Sequence, residues 1–245
     1  PNLRWEKIEA WEAGFEAYFL KNRLNFEGVY YKKKTKDLLA EVPGITGTRP
    51  GLGNLGALEN KGVELSLSWN DKIGSDWRYS VSGNLTTIKN KVLSLVQNGY
   101  TITDGTSGLP MMSYTQAGYP IGYFYGYKVD GVYQNQTEID NSPTNKLTKV
   151  LPGDLKFKDV NGDGEITTAD RTMIGNPTPD FTYGLSVNVG YKNFDLSVDM
   201  MGVYGNEIYR TWNIFEWSQF NYLESKMGRW HGEGTSNTEP ILNRK

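Results

Sequence analysis

Six segments of this chain alternate apolar and polar residues with a period of two, and no other feature limits the fold as strongly. In the stretch from Trp11 to Phe19 the odd positions are Trp11, Ala13, Phe15, Ala17 and Phe19, while Glu12, Gly14 and Glu16 lie between them. Successive side chains of a strand point to opposite faces, so such a segment is a strand with one apolar and one polar side. Beyond a turn at Lys21-Asn22-Arg23, Leu24, Phe26, Gly28 and Tyr30 alternate with Asn25, Glu27, Val29 and Tyr31. Val63, Leu65, Leu67 and Trp69 oppose Glu64, Ser66 and Ser68; after a turn at Asn70–Asp76, Trp77, Tyr79, Val81 and Leu85 oppose Arg78, Ser80, Ser82, Asn84 and Thr86. Tyr183, Leu185, Val187, Val189 and Tyr191 continue the pattern. A tight Lys192-Asn193 turn leads from them to Phe194, Leu196, Val198 and Met200.

These segments pair as three hairpins with short turns, whereas the links between hairpins are long: about Lys36 to Leu55, Leu93 to Asp180, and Gly202 onward. Short turns at one end and long loops at the other is the layout of outer-membrane barrels, and strands of roughly 9–11 residues suit a tilted crossing of a bilayer. Aromatic residues gather where strands meet the short turns (Tyr18 and Phe19, Trp69 and Trp77, Tyr191 and Phe194), as an interfacial girdle requires. The competing architecture is a soluble β-sandwich whose strand ends carry core aromatics. No run of 18 apolar residues exists, so no transmembrane helix is expected, and the mean hydropathy of −0.56 is compatible with an alternating barrel.

Composition removes several function classes. A net charge of −2 leaves no basic stripe for nucleic acid. The absence of cysteine excludes disulfides, thiolate metal sites and cysteine nucleophiles, and the single His231 cannot build a multi-histidine centre. No phosphate-cradling glycine loop or G-x-S-x-G elbow occurs. Glu12 and Glu16 share a strand face, but spacing of four residues places them about 13 Å apart, too far for a glycosidase pair. No enzymatic activity is expected. With Pro1 at the start and no initiator Met or signal peptide, the sequence reads as an internal piece of a longer chain.

One motif has ligand spacing. Asp159-Val160-Asn161-Gly162-Asp163-Gly164-Glu165-Ile166-Thr167-Thr168-Ala169-Asp170 places oxygen donors at positions 1, 3, 5, 7, 9 and 12, with Gly164 at 6 for the sharp turn. Asp159, Asn161 and Asp163 offer side-chain oxygens, Glu165 its carbonyl, Thr167 a direct or water-bridged contact, and Asp170 replaces the usual Glu; the loop resembles that of dockerin modules. The expected ligand is a structural Ca2+. The bland alternative is a solvated Asn-Gly/Asp-Gly turn. Trp212 and Trp217, in an aromatic-rich tail, are weak candidates for stacking on cargo; packing within the loop is the alternative. The basic run Lys32-Lys33-Lys34 with Lys36 reads as a solvated strand end, with lipopolysaccharide phosphate as the other option.

Several blocks carry a family resemblance: Pro1-Asn2-Leu3-Arg4-Trp5-Glu6-Lys7, Gly118-Tyr119-Pro120-Ile121-Gly122-Tyr123-Phe124-Tyr125-Gly126-Tyr127, Asp130-Gly131-Val132-Tyr133-Gln134, Leu151-Pro152-Gly153-Asp154-Leu155-Lys156-Phe157 with the loop after it, and Ile174-Gly175-Asn176-Pro177-Thr178-Pro179-Asp180-Phe181. Together they resemble the C-terminal barrel portion of the SusC/RagA-type TonB-linked outer-membrane transporters of Bacteroidota. The resemblance implies a 22-stranded antiparallel transmembrane β-barrel with a plug, a SusD-like surface lipoprotein as lid, TonB acting through a box absent from this chain, contact with outer-membrane lipid, and oligosaccharide or peptide cargo. The expected organisation is barrel hairpins over 1–92, an extracellular region over 93–180 containing the calcium-type loop 159–170, a hairpin over 181–203, and an extracellular loop over 204–245. The functional expectation is a piece of a TonB-dependent nutrient importer in the bacterial outer membrane. The rival is a soluble, calcium-stabilised, surface glycan-binding β-sandwich.

Overall fold

The computed structural model describes residues 3–42, 51–54, 56–95, 101–104, 112–209 and 223–242. In chain order it forms β1 (Lys7–Phe19), β2 (Leu24–Lys36), β3 (Leu39–Val42), β4 (Gly51–Asn54), β5 (Gly56–Ile73), β6 (Trp77–Thr87), β7 (Lys89–Leu95), β8 (Thr101–Asp104), β9 (Ser113–Gln116), β10 (Tyr123–Tyr127) and β11 (Val129–Val132). A short helix α1 (Gln136–Asp140) follows, then β12 (Thr144–Asn145), β13 (Leu155–Phe157), β14 (Glu165–Ile166), β15 (Arg171–Gly175), β16 (Phe181–Tyr191) and β17 (Phe194–Tyr204). Two compact units result: residues 1–104, 113–123 and 175–208 in one, and 105–112, 124–174 and 209–245 in the other.

The first unit is dominated by a wall of strands in the order β1-β2-β5-β6-β16-β17, with β7 also on β5. Every neighbour in it is antiparallel. The wall is open among the described residues: β1 and β17 are its two edges. β6 pairs directly with β16 from Thr87↔Phe181 to Trp77↔Tyr191. Strands 94 residues apart in sequence (87 to 181) are thus immediate neighbours, and among the described residues the chain between them adds only β7 to this sheet.

The turns follow backbone chemistry. Leu20, Lys21 and Asn22 all take positive φ (54°, 60° and 63°) to close the β1–β2 hairpin, and Lys192 does so at φ 52° between β16 and β17. The turn expected over Asn70–Asp76 is shorter than the sequence pattern suggests. β5 runs on through Ile73, and Gly74 at φ 63° makes the reversal. Asp71 and Lys72 stay in the ladder opposite Tyr79 and Arg78, and Arg23 holds the Asp71 carboxylate at 2.9 Å. The strand expected over 123–129 divides into β10 and β11 at Lys128.

The second unit is small and has a core of its own. β11 pairs with β13, and β12 runs parallel to β14. Asn135 caps α1, its Oδ1 accepting the Glu138 amide at 2.9 Å. Val132, Tyr133 and Ile166 are fully buried, and Trp230 is nearly so. Gln134 ties the segments together: its Nε2 donates to the carbonyls of Val132 (2.7 Å) and Ser236 (3.0 Å), and its Oε1 accepts from Trp230 Nε1 (3.3 Å) and the Gly234 amide (2.9 Å). Gly153, at φ 94°, lies beneath the indole; a Cβ there would stand 2.5 Å from Trp230 Cε3.

Candidate membrane-facing surface and calcium-type loop

Because the ladder runs in register across the whole wall, the apolar sides of its strands merge into one face. Phe26 sits opposite Leu67, Leu65 opposite Leu85, Val81 opposite Val187, and Val187 opposite Val198. Among the described residues nothing covers this face. Leu67 is 50% exposed, Leu185 36%, Leu196 63% and Phe194 78%. A β-sandwich would seal these side chains against a second sheet, so the sandwich alternative is not the architecture formed.

Aromatic rings bound the face at both ends. At the short-turn end Trp77 packs on Tyr191 with centroids 4.5 Å apart, and Trp69 Nε1 reaches Tyr79 Oη at 3.4 Å. At the opposite end Trp11 meets Tyr30 edge-on at 5.7 Å, and Phe181 stacks on Tyr204 at 4.9 Å. The sequence pattern exposed the first row. The second was missed, because its members lie beside long links rather than in turns. Gly202 belongs to it: the Tyr183 ring lies across this glycine, where a Cβ would come within 2.3 Å of Cζ. A glycine facing a tyrosine one strand away was the available signal. Tyr183 to Tyr191 is about 27 Å of strand, which a tilt near 40° reduces to roughly 20 Å, close to the about 25 Å apolar band of outer-membrane barrels. Tyr18, expected in the girdle, falls instead on the polar side, where its hydroxyl donates to Glu16 at 2.8 Å.

The polar side carries Glu12, Glu16, Glu64, Ser66, Ser82, Asn84, Ser186 and Asn188 in the same register. Glu12 and Glu16 stand along one strand, two side-chain repeats apart, and do not converge.

In the second unit the loop from Asp159 to Asp170 wraps on itself. Asp159 accepts the amides of Gly162 (2.6 Å) and Gly164 (2.8 Å), one on each carboxylate oxygen. Asn161 Oδ1 accepts from Asp163 N and Asp163 Oδ1 from Glu165 N, each at 2.9 Å. Thr167 and Asp170 form a capping box around a short 3-10 turn, with the Asp170 carboxylate accepting from Thr167 N at 2.7 Å and Val160 N at 2.9 Å. Asp170 is completely buried. The Thr167 amide, with those of Val160 and Asn161 and the Thr167 hydroxyl, holds its carboxyl below the usual carboxylate range against the opposing effect of burial. The carboxylates of Asp159, Asp163 and Asp170 do not meet at one point: no group of three or more His, Cys, Asp or Glu side chains among the described residues is close enough to hold a metal. The donor chemistry nevertheless suits a hard cation, since each carboxylate oxygen used by one amide keeps a second lone pair. Trp212 and Trp217 lie outside the described residues.

An antiparallel wall with an uncovered, aromatic-bounded apolar side and a polar reverse side is the surface of a transmembrane β-barrel. Residues 1–213 match the family described as TonB dependent receptor-like, beta-barrel, and the chain belongs to that family. It is 37% identical over 84% of its length to TonB-dependent receptor P3 of Formosa agariphila, covering 21% of that protein. It is 30% identical over 85% of its length to TonB-dependent receptor SusC of Bacteroides thetaiotaomicron, covering 20% of it. Among solved structures, the RagAB peptide transporter aligns over 84% of this chain and 21% of that one, with a TM-score of 0.66 at 23% identity. The chain thus spans about a fifth to a quarter of the length of the curated relatives it matches. These relatives are all named TonB-dependent receptors.

Proposed function

We propose that this chain forms part of the wall of an outer-membrane importer that takes up oligosaccharides or peptides with a SusD-like surface lipoprotein as its lid and TonB as its energy source. The observation that carries the reading is the unbroken apolar face from β1 to β17, bounded at both ends by aromatic pairs. Lipid is the solvent such a face requires, and water or cargo is the solvent its reverse side requires. The carriage of cargo past a wall of serines, asparagines and carboxylates needs no covalent chemistry, so the residues here act by shape and polarity alone. In intact cells the protein fractionates with the outer membrane and shows heat-modifiable migration. Growth on its cargo stops when TonB is deleted. Uptake that persists without TonB, or a protein recovered in the soluble fraction, overturns the proposal.

The loop over 159–170 is proposed to clamp one Ca2+ on the external side. Asp159, Asn161, Asp163 and Asp170 would supply side-chain oxygens, Glu165 its carbonyl and Thr167 the ninth position. The test is protease resistance of this loop with and without chelator. Wild type becomes sensitive in chelator, and the Asp159→Ala, Asp163→Ala variant is sensitive in both conditions. Equal resistance of wild type with and without calcium sinks the clamp.

A further inference from the structure

The same register that builds the apolar face also arranges the lysines at its long-link end. β2 places Lys32, Lys34 and Lys36 on the side of Tyr30 and Phe26, and only Lys33 turns to the polar side. Next to Trp11 runs a row of Lys32, Lys61 and Lys89 on three adjacent strands. One pleat further out the row is Glu9, Lys34, Glu59 and Lys91, and beyond it Lys7 sits opposite Lys36. Seven ammonium groups against the two carboxylates Glu9 and Glu59 leave five positive charges on one patch.

The two acids are already shared. Glu59 pairs with Lys32 at 3.1 Å and Lys61 at 3.8 Å, and Glu9 pairs with Lys36. Lys34 lies near enough to act on both through space. Lys7, Lys34, Lys89 and Lys91 form no ion pair among the described residues. With strands about 4.8 Å apart and side-chain repeats of about 6.8 Å, the patch measures roughly 14 Å in each direction, the size of a phosphorylated disaccharide headgroup. The patch adjoins Trp11 and Tyr30, the rings that bound the apolar face.

We infer that this patch is a binding site for the phosphates of an outer-leaflet glycolipid, with acyl chains lying down the apolar face beside Tyr30, Val63 and Leu65. The inference rests on the membrane reading above and adds a ligand to it. Ammonium groups on flexible stems suit phosphate monoesters as point-charge partners. The occupant is lipid and not free phosphate, because charge complementarity and an apolar wall meet at this one level.

The test uses the intact receptor purified from outer membrane in mild detergent. The readouts are co-purified phosphorylated glycolipid and its rebinding from mixed micelles of bisphosphorylated lipid A. In the Lys32→Gln, Lys34→Gln, Lys61→Gln variant, affinity falls on the order of tenfold to a hundredfold, since three cations facing an anionic surface are lost. Lys33→Gln, which removes a charge from the same run on the opposite side, binds as wild type does. The triple Arg variant retains binding, and Lys89→Gln with Lys91→Gln, which breaks no ion pair, weakens it by a smaller factor. Dephosphorylated lipid A binds wild type no better than it binds the triple Gln variant. Unchanged lipid affinity in a membrane-embedded triple Gln variant overturns the inference alone. Displacement of lipid by millimolar inorganic phosphate shows a free-anion site and also overturns it. Failure of wild type to fractionate with the outer membrane overturns both this inference and the membrane reading.

Discussion

The wall and the compact unit solve opposite problems with similar residues. In the wall, Phe194, Leu196 and Met200 are 78%, 63% and 52% exposed; in the compact unit Val132 and Ile166 are at 0% and Tyr133 at 1%. The wall has neighbours only along the hydrogen-bonding direction, so its folding depends on ladder register and on a solvent that accepts its apolar side. The compact unit needs no such solvent, because α1, the short strands and the 223–242 segment close over a core of their own. Stability in one is set by what lies outside it and in the other by what lies inside.

The largest expected effect falls in the compact unit. Trp230→Ala removes the indole that covers Gly153 and donates to Gln134 Oε1, and a buried Trp truncation costs about 3–5 kcal/mol. Hydrogen exchange over residues 129–158 should accelerate, above all at the Tyr133–Asp154 and Gly153–Tyr133 amide bonds, while the wall strands keep their protection. If β16 and β17 lose protection equally, the two regions are not separate in stability.

The wall responds to charge instead of cavity. Val187 lies midway between Tyr183 and Tyr191, opposite Val81 and Val198. Arg at the middle of a lipid-facing strand costs about 2–4 kcal/mol, so Val187→Arg should lower the amount of folded, heat-modifiable protein in the membrane. Ser186→Arg, one residue away on the polar side opposite Asp199, should fold normally. Equal tolerance of both substitutions breaks the assignment of faces.

What the sequence made legible divides along the same line. Period-two alternation yields β1, β2, β6, β16 and β17 because in a sheet the neighbour on each face is fixed by parity alone. It failed at the end of β5, where Asn70 and Asp71 have turn chemistry but the ladder and the Arg23–Asp71 ion pair keep them in the strand. The basic run was legible as lysines but not as a patch. Lys61, Lys89 and Lys91 come from other strands, and only the register brings them beside Lys32 and Lys34. The core of the compact unit left no local trace: Gln134 and Trp230 are 96 residues apart, and nothing periodic links them. The loop over 159–170 was legible in spacing, while the burial of Asp170 was not.

The smallest effect concerns pH and sharpens the contrast further. Glu138 pairs with Lys156 at 2.9 Å and accepts the Gln134 amide at 2.8 Å. That amide, and then the Lys156 ammonium, hold the Glu138 carboxyl below its ordinary 4.5, and the Glu138 carboxylate in turn raises Lys156 above 10.5. A lowered carboxyl stabilises the fold above its unfolded pKa and loses that contribution as pH falls through the folded value. A raised ammonium stabilises it below 10.5 and loses the contribution as pH rises through its folded value. The compact unit should therefore loosen below about pH 4.5 and again above about 10.5, with a plateau between. The pair is partly exposed, so Glu138→Gln should destabilise by no more than about 1 kcal/mol at neutral pH and flatten the acid limb. Exchange rates of the 129–158 amides, corrected for intrinsic pH dependence, measure this directly. An acid limb unchanged in Glu138→Gln assigns it to other carboxylates, with Asp170, whose lowered carboxyl has the same sign, the next to test.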